Sequence, residues 1–159
     1  MRIHTTNTAV RITALILALA ALASLCACSL KPGKKTTDSP KEISGYLKDH
    51  IGVNIGSYFE EAEMEYENTD SKETANIRIR LNENTLEKVE EIAGMHMAKE
   101  AEPMSPVPGY QDHPYALEMK KMNITEHYVR AVAGKRTKSR MFDLYIAENG
   151  GTYYVFVFS

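Results

Sequence analysis

The two cysteines of this 159-residue chain, Cys26 and Cys28, stand two positions apart at the end of an uncharged apolar run. This limits the fold more than any other feature. Everything beyond Cys28 must build its core with no disulfide, no thiolate metal site and no cysteine nucleophile, so cysteine spacing says nothing about the folded part. The run itself, Ile12–Leu25 ("ITALILALAALASL"), is fourteen residues long. A membrane-spanning helix needs about 20 apolar residues. With Arg2 and Arg11 ahead of it, the run reads as the apolar core of a signal peptide sooner than as a span. Only by including Ser24 and Ser29 does it stretch to Leu30.

The segment "LCAC", Leu25–Cys28, resembles the lipobox of bacterial lipoprotein precursors. That pattern places Leu three residues before an obligatory Cys and a small residue immediately before it. Leu25, Ala27 and Cys28 match, and Cys26 departs from the small or hydroxylated residue that is commoner at its position. The rival reading is an ordinary signal peptide cut after Ala23 in "ALA". The resemblance covers residues 1–28 only and implies nothing about the fold behind them. It implies cleavage before Cys28 and a thioether-linked diacylglycerol on the Cys28 sulfur. The expected location is extracytoplasmic, lipid-anchored on a bacterial cell membrane or outer membrane. One acyl chain anchors marginally, whereas two or more hold firmly.

The leader carries two of the 19 basic residues and none of the 21 acidic ones, leaving 17 against 21 and a formal charge of −4. That balance gives no general attraction to nucleic acid. The expected organisation is a signal peptide over 1–27, lipidated Cys28 with a flexible tether to residue 39, and one domain over 40–159. Within the tether "SLKPGKKTTDS", Lys31, Lys34 and Lys35 would lie near lipid headgroups.

"SPKE", residues 39–42, starts a helix, with Ser39 capping, Pro40 in the first helical position and Glu42 completing a capping box. Ile43, Tyr46, Leu47, His50 and Ile51 share one face, and Gly52 ends the helix. "EEAEMEYE" and "NIRIRL" alternate strictly and predict a hairpin. The register that segregates apolar from charged residues sets Ala62 against Leu81, Met64 against Ile79 and Tyr66 against Ile77. It pairs Glu63 with Arg80 and Glu65 with Arg78. "NTLEKVEEIAGMHM" predicts a second helix, capped by Asn84 with Glu87, with Leu86, Val89, Ile92, Ala93 and Met97 on its apolar side. A loop with Pro103, Pro106, Pro108 and Pro114 follows. Residues 115–124 are ambiguous between helix and strand.

Three strands end the chain: "EHYVRAVA", "RMFDLYIA" and "TYYVFVFS". The expected pairs are Val129 with Leu144, Ala131 with Phe142 and Arg130 with Asp143. The last strand is apolar on both faces and belongs at the centre of a sheet. The turn "ENGG" leaves open whether Val155 and Val157, or Phe156 and Phe158, face the side of Leu144. The order gives an α+β fold: an antiparallel sheet of a β-hairpin plus a C-terminal three-stranded meander, with two helices packed on one face.

No serine-hydrolase elbow, phosphate loop or zinc-protease motif occurs, and no cofactor is implied. Met95, His96 and Met97 offer soft ligands suited to copper. On a helix, however, residues two apart point about 200° apart, so core packing is the plainer reading. Met104 and His113 could join only through the proline loop. Of the acid–histidine neighbours Asp49–His50, Asp112–His113 and Glu126–His127, none is a ready dyad, because adjacent strand residues face opposite ways. The expected partner-binding surface combines a stripe of Tyr128, Tyr145 and Tyr154, loop residues Pro106 and Tyr110, and the basic turn with Lys135, Arg136, Lys138 and Arg140. The chain therefore reads as a non-enzymatic binding module of inhibitor, immunity or assembly-accessory type. Its partners would be the membrane and an envelope protein or polymer. The alternative is an envelope hydrolase or copper-type metal-handling protein built on His96 and His113.

Overall fold

The computed structural model describes residues 33–69, 73–101, 114–133 and 139–159. In chain order these form β1 (Gly33–Thr37), α1 (Pro40–Ile51), β2 (Phe59–Asn68), β3 (Glu73–Leu81), α2 (Leu86–His96), β4 (Ala98–Lys99), α3 (Pro114–Met119), β5 (Asn123–Val132), β6 (Arg140–Asn149) and β7 (Thr152–Phe158). The described strands make one antiparallel sheet of seven, in the order β1-β2-β3-β7-β6-β5-β4. The fold is α+β, as expected. β7 pairs with β3 on one side and β6 on the other, so it joins hairpin and meander.

That central place follows from the composition of β7. Val155, Phe156, Val157 and Phe158 are all fully buried, and each such side chain contributes about 1.5–3 kcal/mol by leaving water. Both faces of the strand must therefore be covered. The turn before it settles which residue faces which way. Gly150 and Gly151 have φ of 61° and 84°, the pair of positive values a two-residue type I′ turn requires. Asn149 then pairs with Thr152, Ile146 with Val155 and Leu144 with Val157.

On that valine face lies the larger core. Ile43, Leu47 and Ile51 of α1 and Val89 and Ala93 of α2 pack on Ile77, Ile79, Leu144, Val155 and Val157. On the opposite face α3 places Ala116 and Met119 over Tyr145, Phe156 and Phe158. The expected helix pair on one face is thus joined by a third helix on the other, in the stretch that was ambiguous from sequence. Two polar contacts hold α3 down: Arg78 Nε lies 2.9 Å from Glu118 Oε2, and the Tyr115 hydroxyl donates to Glu63 at 3.2 Å.

The α1 caps Ser39 and Gly52 are as expected, but Glu42 does not complete a capping box, because the Ser39 N–H donates to Thr37 Oγ1 at 3.2 Å. Ser39 Oγ accepts from Glu42 N at 3.4 Å, and the Gly52 N–H, at φ 75°, donates to Lys48 O at 3.0 Å. The Glu42 carboxylate turns to Lys35 Nζ at 2.7 Å, and that bond holds it below the usual carboxylate range. His50 is packed and hydrogen-bonded: it stacks on Tyr46 at 4.0 Å and its Nδ1 donates to Tyr46 O at 2.9 Å.

Four further expectations need correction. Gly33–Thr37, assigned to the tether, form edge strand β1. α2 starts after Thr85, not Asn84, and Thr85 Oγ1 bonds the carbonyls of Tyr58 and Asn82 instead of capping. The hairpin register is two residues away from the expected one: Ala62 faces Ile79, Met64 faces Ile77 and Tyr66 faces Ala75. The slide keeps every apolar residue on the same side but changes the charge partners. Glu65 pairs with Lys34 of β1, Arg80 with Glu60 and Glu61, and Arg78 with Glu118. The β5–β6 register differs by one residue. Tyr128 pairs with Leu144, Val129 with Asp143 and Arg130 with Phe142, after a bulge between Ile124 and Glu126.

Burial raises the pKa of Tyr46, Tyr66, Tyr115 and Tyr128, and the nearby Glu63 carboxylate adds to the rise at Tyr115. An unfolded tyrosine titrates near pH 10. Above that pH the unfolded chain sheds protons that the folded chain retains, so this part of the stability is complete below pH 10 and is lost as pH rises. The melting temperature is expected to fall steadily above pH 10, with tyrosinate absorbance appearing as the protein unfolds. Normal titration of all the tyrosines within an intact fold would contradict the burial of these four.

Candidate functional site

The expected tyrosine stripe does not exist as one surface. Tyr128 faces the α1–α2 side and is buried in that core, whereas Tyr145 is fully buried beneath α3. Tyr154 is half-buried on the α3 side, with the Arg78 guanidinium 5.1 Å from its ring centre. The one-residue change of β5 register separates the first from the other two. Cys28, Met104, Pro106, Tyr110, Asp112, His113, Lys135, Arg136 and Lys138 lie outside the described residues.

His96 is exposed at the end of α2, with its carbonyl accepting from Arg130 Nη1 at 3.1 Å. It stays exposed while Val89 and Ala93 of the same helix are buried. Met95 points out at 62% exposure and Met97 points in at 6%. Among the described residues no group of three or more His, Cys, Asp or Glu is placed to hold a metal ion. No described helix is long and apolar enough to cross a membrane.

Two polar clusters do form. At one, Arg140 reaches Glu73 at 2.6 Å, Ser159 Oγ at 2.7 Å and the Tyr46 hydroxyl at 3.0 Å, with its guanidinium over Phe142. His50 Nε2 stands 3.6 Å from the same Glu73 carboxylate. At the other, His127 and Asp143 are buried together, and Nε2 donates to Oδ1 at 2.9 Å. Tyr145 stacks on the imidazole at 4.1 Å. The carboxylate can only accept, which places a proton on Nε2. His127 Nδ1 is buried with no hydrogen-bond partner. Glu126 and His127, neighbours in sequence, are not the pair; the pair that forms is cross-strand, two positions from directly opposite, and visible only once the β5–β6 register is known.

The register also sorts the molecule into two ends. Gly33 pairs with Asn68, Asn68 with Glu73, Val132 with Arg140, and Ser159 N bonds Ala75 O. The start of β1, the Arg140 cluster and the β5–β6 connection therefore share one end. At the other end Phe59 faces Leu81, Asn123 faces Glu148, and the Gly150–Gly151 turn closes β6 on β7. An open cleft of about 750 Å³ lies there, walled by the β3–α2 loop, the first turn of α2 and the start of β7. Its polar groups are the Asn82 and Asn84 amides, the Glu60, Glu83 and Glu87 carboxylates and Arg80, and its apolar groups include Leu86 and Tyr153.

The β3–α2 loop is fixed from below. Asn82 N donates to Tyr58 O at 3.0 Å and Asn82 Nδ2 to Ser57 O at 3.3 Å, while Thr85 Oγ1 adds its bonds to Tyr58 O and Asn82 O. Asn84 sits at φ 60°, a left-handed conformation that asparagine tolerates better than most side chains. In the sequence Asn84 reads only as a helix cap, and nothing local marks residues 82–85 as a cleft wall.

Comparison of the chain with protein-family models, with curated proteins and with solved structures finds no match.

Proposed function

We propose that this chain is a bacterial envelope lipoprotein, anchored through Cys28, whose domain acts as a non-enzymatic binding module at the membrane surface. The observation that carries the reading is the spacing between the lipobox-like cysteine and the sheet. Four residues lie between Cys28 and Gly33, where β1 begins, so five peptide units join the two. Five peptide units span at most about 18 Å, so a diacylglycerol on Cys28 keeps the β1 start close to the headgroups.

The β5–β6 connection, with Lys135, Arg136 and Lys138, leaves the sheet at that same end, between Val132 and Arg140. Basic residues near an anionic leaflet contribute about 1 kcal/mol each. Lipid and basic turn together supply the two signals that stable anchoring takes. The acidic cleft end then points away from the membrane, toward an envelope protein or polymer. The catalytic and copper alternatives draw no support from the placement of His96, which is solvent-exposed and outside any cluster of ligands among the described residues.

The test uses the lipidated protein and vesicles. Replacing Lys135, Arg136 and Lys138 by glutamine is expected to weaken binding to anionic vesicles on the order of 100-fold at low salt, with little change on neutral vesicles. Cys28→Ala is expected to remove the protein from the membrane fraction. Full retention of the Cys28→Ala chain after leader removal, or vesicle binding indifferent to the three cations and to salt, would overturn the reading.

A further inference from the structure

We propose that the cleft at the membrane-distal end is a saccharide-binding site, taking neutral or amine-bearing sugar units. Its size lies within the range of ordinary ligand sites. Its chemistry decides the class. The Asn84 amide offers donors and an acceptor, Asn82 keeps its amide oxygen and the one amide proton not given to Ser57 O, and Glu83 and Glu87 offer paired acceptors. Planar groups of this kind match neighbouring hydroxyls on a sugar ring. Tyr153, half-buried against the core, and Leu86 give an apolar patch for the C–H face of the ring.

Two further observations narrow the ligand. Arg80 is the one cation among the described lining residues, and its guanidinium is held by Glu60 at 2.6 Å and Glu61 at 3.2 Å. Glu83 and Glu87 would repel a negative ligand, so an acidic sugar is a poor fit while an amine is welcome. The wall is also rigid in advance of binding. Two hydrogen bonds donated by Asn82, and the one Thr85 hydroxyl proton set between the carbonyls of Asn82 and Tyr58, tie the residues that flank Glu83 and Asn84. A preformed wall lowers the ordering cost that makes saccharide sites weak.

The inference deepens the reading of the chain as a binding module by naming the ligand class. It is tested apart from the anchor. The full-length chain, in a zwitterionic detergent without sugar headgroups, is titrated with tetramers of N-acetylglucosamine, glucosamine, glucose and galacturonate. Saturable binding of at least one of the first three is expected, with galacturonate at least tenfold weaker. Asn84→Gly, which keeps the left-handed backbone, combined with Glu87→Gln is expected to weaken binding at least tenfold while leaving the melting temperature in place. Absence of saturation by all four at millimolar concentration, equal binding of galacturonate, or indifference to the paired substitutions overturns the proposal. So does preferential occupation of the cleft by an oligolysine peptide. A failed titration leaves membrane fractionation unaffected, and loss of the anchor leaves the titration unaffected, so the two failures are distinguishable.

Discussion

Phe156→Ala is expected to destabilise the domain by about 3–5 kcal/mol, the cost of deleting a large buried aromatic. Phe156 is fully buried on the α3 side of the central strand, against Tyr145 on its paired neighbour. No large side chain stands ready to refill the space, because Phe158 and Met119 are already packed there. The loss is comparable to the entire stability of a marginal domain of this size, so the variant should be largely unfolded near body temperature. Denaturant titration checks it. Tyr154, two residues earlier on the same face but half-buried, serves as the comparison, and Tyr154→Ala is expected to cost clearly less. A cost below about 1 kcal/mol for Phe156→Ala would mean that the α3 face is not a core.

The second large effect lies one strand away. His127→Phe is expected to cost about 3 kcal/mol, because it removes the imidazole that bonds the buried Asp143 carboxyl and leaves that group without its partner. Asp143→Leu alone strands the imidazole instead, and because its Nδ1 is already without a partner, the ring then keeps neither bond. Combining His127→Phe with Asp143→Leu removes both polar groups and is expected to recover most of the loss, since replacing both partners of a buried hydrogen bond by apolar groups is often nearly neutral. A double-mutant cycle measures this directly. Strict additivity of the two single losses would show that the residues do not act as a pair.

The strand that carries the first prediction was legible in advance. "VFVF" is apolar at every position, which only a strand covered on both sides satisfies, and β7 lies in the middle of the sheet. The α1 boundaries were equally plain, because Ser39, Pro40 and Gly52 each act through their own local chemistry. Registers were not. In the hairpin, a slide of two residues leaves apolar side chains on the same face, so alternation cannot distinguish the Ala62–Ile79 pairing from the Ala62–Leu81 one. The charges gave a false guide, since Arg78 is satisfied by Glu118 of α3 rather than across the hairpin.

In the meander the difficulty is the reverse. With both faces buried over β6, from Phe142 to Ala147, apolar patterning carries no parity, and the bulge after Ile124 shifts β5 by one. The pairing of His127 with Asp143, and the separation of Tyr128 from Tyr145, follow from that single step. The cleft was hidden for a further reason. Its walls come from β2, the β3–α2 loop and β7, segments up to about ninety positions apart in the chain, and a local pattern cannot bring them together. Position at the two ends of the sheet is likewise a property of the topology alone.

The most direct test of the anchored arrangement is the intact mass of the mature N-terminus, measured on protein extracted from the membranes of cells that make it. The expected product begins at Cys28 and carries a diacylglycerol thioether on its sulfur. A chain that keeps its leader, or one that begins at Ser24 with both thiols unmodified, would contradict it.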